Sequence, residues 1–390
     1  MLTLFLVSMV AMVNATPTKA VIIKVPTDKP TIQEAIDAAS SGDEIYVLAG
    51  IYEERIVMKY GVNVIGEGAD VTVIRSDGIV VTGASNAVLQ GFNITGGYIG
   101  VDAYGVSRFC ILDNIITKIR NVGYTSALGV HIGASDSVSI CRNEISDIKE
   151  LIGYDRNAMG IFVEDSTSTT IYRNRVFDIE DTGQWGAAGI GNARCIGSVI
   201  VGNIVYDVIE NDYRYNFGIS ENPGESATIA YNTVANILVG GYDPGASRGI
   251  FIYGPNTVTG NIVAYLNRGR DPSTGIYNYL DAGTVTYNYV WSIDVDGIPF
   301  NGSHDAVSNK VADPLFVDFA ARDFHLQADS PCLEASETGK EIGAYGAPCI
   351  ECCIPVEPVP GPLFSNIVAI LPLGIVAGAV VIRRRRKANN

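Results

Sequence analysis

The sequence predicts an all-β fold, a parallel β-helix solenoid, and three observations carry that prediction. An Asn recurs at Asn93, Asn114, Asn143, Asn174, Asn203, Asn232, Asn261 and Asn288, with a spacing close to 29 from Asn114 onward. A Gly followed by an apolar residue keeps step with it, at Gly100, Gly129, Gly160, Gly189, Gly218, Gly249 and Gly275. Two markers sharing one period indicate a solenoid. The third observation is the apolar frame around each Asn. Ile111, Ile140, Ile171, Ile200 and Ile229 stand three places before it, Ile116, Ile145, Val176, Val205 and Val234 two places after, and Ile119, Ile148, Ile179, Val208 and Ile237 five places after. Most are β-branched and sit in short alternating runs, which reads as strands. Each period holds about three short strands, and stacking at about 4.8 Å aligns like residues into columns.

The elements follow in chain order. Residues 1–15, MLTLFLVSMVAMVNA, form an apolar run closing on a small residue, as a signal peptide does, although a basic start is missing. PTIQEAIDAA then predicts a helix that covers the first coil. Thr31 and Glu34 make a capping box, and Ile32, Ala35, Ile36 and Ala39 form one apolar stripe. Strands are expected from EIYVLAG onward, with some ten coils between Ile45 and Val311 and a β-helix domain over residues 24–346. At each corner the Asn is expected to tolerate the left-handed backbone and to stack into an amide ladder, a structural role. Of the seven Cys, Cys110, Cys141 and Cys195 read as small buried apolar residues. A disulfide among Cys332, Cys349, Cys352 and Cys353 is expected outside the cell. A Cys/Pro-rich linker occupies 347–362, and residues 363–382, LFSNIVAILPLGIVAGAVVI, are uncharged and long enough to span a bilayer. The basic tail 383–390 would stay cytoplasmic and hold the large domain outside. The net charge of -15 argues against a nucleic-acid partner.

PTIQEAIDAASSGDEIYVLAGIYEERIVM, followed by GVNVIGEG, resembles the opening of right-handed parallel β-helix proteins of the pectate-lyase-like superfamily. VADPLFVDFAARDFHLQADSPCLEA with EIGAYGA resembles the closing segment of extracellular β-helix proteins of bacteria and archaea. The resemblance implies fold more than activity, because the superfamily includes lyases, hydrolases, esterases, epimerases, adhesins and proteins with no known reaction. Gly50, Tyr52 and Glu54 match one phrase of pectin methylesterases, and Tyr242-Asp243-Pro244-Gly245 is a fragment of an alginate-epimerase phrase without its His. The other active-site phrases of these enzymes and of polygalacturonases are absent.

Two further patterns bear on function. Asp147, Asp178 and Asp207 stand four places after the Asn on successive coils, and Glu150, Asp181 and Glu210 stand seven places after. Stacked like charges disfavour one another. Either the carboxylates are solvated, eased by Lys118, Lys149 and Arg175, or a cation such as Ca2+ sits among them. The resemblance allows the cation, since pectate lyases use Ca2+ to bind acidic sugars. The long turns that follow carry Tyr154, Trp185, Tyr213, Tyr215, Tyr242, Asp243 and Arg248, aromatic faces beside hydrogen-bonding groups that suit sugar rings. The three His lie far apart without ligand spacing and read as structural. The sequence therefore points to an envelope-anchored extracellular protein that binds polysaccharide or cell-envelope glycan, or mediates surface contact, without catalysis. The alternative is a lyase, epimerase or hydrolase acting on acidic glycans.

Overall fold

The computed structural model describes residues 20–353 apart from 122–124, 152–156, 183–185, 212–215, 241–244, 268–270 and 295. The expected leader, the linker from residue 354, the apolar segment 363–382 and the basic tail lie outside the described residues. Among the described residues no helix is long and apolar enough to cross a membrane.

Three parallel sheets build the fold. Sheet A has 11 strands, from Ile22–Val25 to Thr284–Thr286, and sheet B has 11, from Gly50–Tyr52 to Lys310–Val311. Sheet C has 10, from Ile56–Val57 to Ile298–Asn301. The chain visits A, B and C in turn. One coil is Thr170–Tyr172, Arg175–Asp181 and Ala187–Ala193. Each strand pairs with its equivalent one coil away, as in Ile140↔Ile171↔Ile200↔Ile229. A strand of sheet A, Ile22–Val25, precedes the helix, so pairing begins earlier than EIYVLAG. The helix α1, Ile32–Ala38, is capped by the Thr31 hydroxyl, which accepts from the Glu34 amide at 3.1 Å. It buries Ile32, Ala35 and Ile36 against the first strands of sheets A and C.

The core is the stack of inward columns. Ile111, Ile140, Ile171, Ile200 and Ile229 are all 0% exposed. Full burial of such a side chain stabilises by about 1.5–3 kcal/mol. The Gly marker lies at close backbone approach. A Cβ on Gly160 would sit 2.3 Å from Val176 Cγ1 and 2.7 Å from the Gly189 carbonyl oxygen, and Gly189 and Gly218 are equally crowded.

The Asn ladder is hydrogen-bonded throughout. From Asn143 onward each side-chain oxygen accepts from the backbone and amide nitrogens of the preceding Asn, and each Nδ2 reaches a carbonyl in the sheet A strand of the preceding coil. Asn174, for example, donates from N and Nδ2 to Asn203 Oδ1 at 2.9 and 3.1 Å. Two details differ from expectation. The left-handed residue is the one before the Asn: Asp113, Arg142, Arg173, Gly202, Tyr231, Gly260 and Tyr287 all have positive φ. Asn93 is not a rung either. Phe92 takes that place, donating its amide to Asn114 Oδ1, and Asn309 extends the ladder at the far end.

After the last coil the chain turns back as an arm along the outside. Gly343 N donates to the Gly260 carbonyl at 2.8 Å, Ala344 N to Thr233 Oγ1 at 3.0 Å, and Tyr172 Oη to the Pro348 carbonyl at 2.9 Å. Two disulfides, Cys110–Cys353 and Cys141–Cys352, fasten its end. This corrects the expectation of a pairing confined to the C-terminal cysteines. In sheet A, Ile111 and Ile140 point in, so Cys110 and Cys141 point out toward the arm. Cys195 and Cys332 are buried thiols and Cys349 is an exposed one.

Candidate functional site

The outward face of sheet C gathers the aromatic side chains. Alternation in Asn216–Glu221, Ser247–Ile252 and Thr274–Asn278 turns Phe217, Arg248, Phe251 and Tyr277 outward while Ile219, Ile250 and Ile276 fill the core. The Arg248 guanidinium carbon lies 5.8, 5.1 and 4.8 Å from the ring centres of Phe217, Phe251 and Tyr277. Such contacts fix an arginine over rings, with the guanidinium plane held against the aromatic faces. The lane continues into the next turn. Tyr277 meets Tyr279 at 5.6 Å, and Tyr279 stacks on Tyr253 at 5.2 Å and 18°. Phe251 is 5% exposed, whereas Tyr279 and Leu280 are each 50% exposed, so the lane has a packed base and an open rim.

At that rim lies a pocket of about 390 Å³, lined by Arg194, Cys195, Pro223, Tyr253, Pro255 and Leu280. A polar chain leads to it across the coils. His131 Nδ1 lies 2.7 Å from Asp102 Oδ1, and Nε2 lies 3.3 Å from Glu164 Oε1. Arg194 bonds Glu164 at 2.7 Å and grips Asp165 with two nitrogens at 2.7 and 2.9 Å. Burial works against a charged imidazole, but Asp102 and Glu164 outweigh it and raise the His131 pKa. The ring also stacks on Phe162.

Beneath the pocket, Asn192 and Glu221 stand in an inward column between Ala103, Ile132 and Val163 on one side and Ile252 and Asn278 on the other. Burial pushes the Glu221 carboxyl up to about 8, with the Asn192 amide bond pulling the other way. Its Oε1 has no hydrogen-bond partner. The carboxyl is tucked against Gly224, where a Cβ would collide with it, and it does not itself line the pocket.

The residues singled out by sequence divide in three ways. Arg248 stands at the centre of the aromatic lane. Tyr154, Trp185, Tyr213, Tyr215, Tyr242 and Asp243 lie outside the described residues. The six carboxylates do not share one face. Asp147, Asp178 and Asp207 are outward and partly exposed, whereas Glu150, Asp181 and Glu210 are 0% exposed. The outward column is matched by cations. Arg120 pairs with Asp147, Lys149 bridges Asp178 and Glu180 at 3.3 Å each, and Arg322 grips Asp207 at 2.7 and 2.9 Å. Asp147 feels burial, but Arg120 and Lys149 outweigh it and hold its carboxyl below the ordinary range. In the inward column Glu150 accepts from Asn121 Nδ2 at 2.6 Å and Thr182 Oγ1 at 3.0 Å. Among the described residues no group of three or more His, Cys, Asp or Glu is arranged to hold a metal ion.

The Asp register has a backbone cause. Lys118, Asp147, Asp178, Asp207, Asn236, Tyr265 and Ser292 all have positive φ at one repeating kink of sheet B, and Asp and Asn tolerate that conformation best among residues with a Cβ. The aromatic lane was missed, although a signal existed. Phe162, Phe251 and Tyr277 each stand two places after the Gly marker, the first outward position of sheet C beyond that Gly, and His131 does the same.

No family model and no curated protein matches the chain. Solved structures do. The pectate lyase Pel9A matches with a TM-score of 0.51 at 12% identity, over 84% of this chain and 96% of that one. The fold is the right-handed parallel β-helix. Weaker likenesses are to XylC in its complex with xylose, TM-score 0.41, 10% identity, 70% of this chain and 55% of that one. An alginate lyase from Paenibacillus sp. str. FPU-7 gives 0.37 at 14% identity, over 73% and 99%. At these identities the β-helix likeness speaks for fold, and the chemistry of this chain rests on its own side chains.

Proposed function

We propose that this β-helix protein binds polysaccharide along the sheet C face, outside the cell, without cleaving it. The observation that carries the proposal is the lane of Phe217, Arg248, Phe251, Tyr277 and Tyr279 opening into the pocket beside Tyr253. Aromatic faces bury the apolar sides of sugar rings, and a guanidinium fork meets hydroxyl or carboxylate oxygens at their edges. Two disulfides support an oxidising compartment, and the apolar segment 363–382 would supply the envelope anchor. The test is affinity electrophoresis of the full-length protein in gels containing pectate, alginate or neutral glycans. Retardation by at least one glycan is expected, weakened by Tyr279→Ala and Arg248→Gln. Tyr60→Ala, an equally exposed Tyr at the other end of the solenoid, should change nothing. Retardation that survives both lane variants would refute the site.

A second function is favoured by one arrangement, the buried carboxyl of Glu221 tucked against Gly224 under the pocket, where burial raises its pKa to about 8. A carboxyl neutral near pH 7 can serve as a general acid. Incubating the protein with the same glycans and assaying new reducing ends and unsaturated products decides the matter. Product formed by the parent and lost in Glu221→Gln would replace binding by catalysis.

A further inference from the structure

The arm does more than cover the solenoid. Where it crosses the corner between sheets A and B it leaves a pocket of about 310 Å³, lined by Arg173, Arg175, Gly202, Ile204, Ala344 and Tyr345. The gap exists because Gly202 lacks a side chain. A Cβ there would lie 2.8 Å from Ala347 Cβ and 3.3 Å from Arg173 Cγ.

Two guanidiniums in this acidic protein meet at the pocket without a carboxylate. Arg75, Arg120, Arg142, Arg194 and Arg322 each make an ion pair with Asp or Glu. Neither Arg173 nor Arg175 makes one among the described residues. Their stacking neighbours explain this. In the column before the ladder, Arg173 stands between Arg142, which Asp113 already holds, and Gly202. Arg175 lies in register between Glu144 and Ile204 and forms no ion pair with Glu144. A guanidinium carries five N–H donors. Arg173 gives one to the Ala347 carbonyl at 3.2 Å, and Arg175 gives two to Tyr206 Oη at 3.0 and 2.7 Å. The hydrogen bonds and the rings of Phe177 and Tyr206, each 5.2 Å from the Arg175 guanidinium carbon, hold the side chain in place. The far wall is the Tyr345 ring, stacked on His325 at 3.7 Å. On that wall Asp323 is bonded to His325 Nδ1 at 2.6 Å, and Glu341 packs against Gly346.

We infer that the arm and the solenoid together form a binding pocket for an oxyanion, a carboxylate, sulfate or phosphate group. Arg173 and Arg175 would hold its oxygens, with Tyr345 against the body of the molecule. Arginine forks match planar and tetrahedral oxyanions with two bonds at a time, and the volume admits a monosaccharide-sized acid. The site is separate from the aromatic lane and does not depend on it.

The test is calorimetric titration of the full-length protein with galacturonate, inorganic sulfate and inorganic phosphate, with galactose as the neutral control. At least one anion should bind and galactose should not. The preferred anion identifies the source of the oxyanion group. Arg173→Gln and Arg175→Gln should each weaken binding at least tenfold. Ile204→Glu keeps both arginines and the fold while placing a carboxylate in register with Arg175, and it should abolish binding. Tyr279→Ala should have no effect here, which separates this pocket from the glycan lane. If none of the three anions binds, or if binding persists in Ile204→Glu, the inference is wrong.

Discussion

Removing one rung of the Asn ladder is the sharpest test of how the solenoid is held. Asn203 is 0% exposed. Its Oδ1 accepts from Asn174 N at 2.9 Å and Nδ2 at 3.1 Å, and its own Nδ2 donates to the Ile171 carbonyl at 2.9 Å and Asn232 Oδ1 at 3.0 Å. In Asn203→Ala, Asn174 Nδ2 keeps the Ile140 carbonyl at 2.8 Å, and Asn232 Oδ1 keeps the backbone amide of residue 203 at 2.9 Å. The Asn174 amide and the Ile171 carbonyl keep no side-chain partner. Each buried group so stranded costs about 1–3 kcal/mol, so the loss is about 3 kcal/mol. For a domain of roughly 330 residues the unfolding entropy is about 0.7 kcal/mol/K, so the melting temperature should fall by about 4 °C. Asn203→Asp separates hydrogen bonding from shape. It keeps the acceptor but turns a second oxygen on Ile171 O and Asn232 Oδ1. Its folded pKa must rise above the unfolded value of about 4, so the variant should lose progressively more stability as pH climbs past that point. Calorimetric scans of parent and both variants at pH 4 and pH 7 check this. A change below about 0.5 kcal/mol for Asn203→Ala would mean that the ladder is an ornament of the coil and not a support.

Three other perturbations bear on the charged groups. His131 has a raised folded pKa, so its contribution is present in full below about 6.5 and is lost as pH rises through the folded value. The melting advantage of the parent over His131→Gln should therefore be larger at pH 6 than at pH 9, and an advantage constant with pH would remove the ion pairs from the account. Glu221, pushed up to about 8, destabilises the folded state increasingly as pH rises from its unfolded range toward that value. Glu221→Gln should gain on the parent over that interval and level off above it; parallel pH profiles for the two proteins would place the carboxyl in water instead. Millimolar Ca2+ should leave the parent's melting temperature unchanged, because Arg120, Lys149 and Arg322 already meet the outward Asp column. A rise that disappears in Asp178→Asn would instead establish the cation site.

The periodic part of the structure was legible because a solenoid writes the same physical demand once per coil. A buried β-branched position, a Gly at close approach and an Asn rung each return every coil, so Ile171, Gly189 and Asn203 were readable for what they are. Asp147, Asp178 and Asp207 likewise recur at a position where the backbone turns left-handed once per coil. What the period cannot encode is contact between coils and a segment that crosses them. Cys110–Cys353 joins residues 243 apart, and the Arg173–Tyr345 pocket exists only once the arm lies down. The lane of Arg248 was half visible. Its arginine appeared as a turn residue, but its rings come from strands whose outward positions share no single residue type.

The disulfide between Cys110 and Cys353 also decides how the molecule would carry a pull. A force applied between the first coils and the chain beyond Cys353 has a covalent short cut through the two sulfurs. Residues 111–352 form a closed loop hanging from that short cut, outside the path of tension. The aromatic lane and the oxyanion pocket both lie within the loop. Shear on a tethered molecule would stretch the coils before Cys110 and leave the binding surfaces slack, so they could keep their shape while the tether is strained. Only reduction of the bond would put them under load.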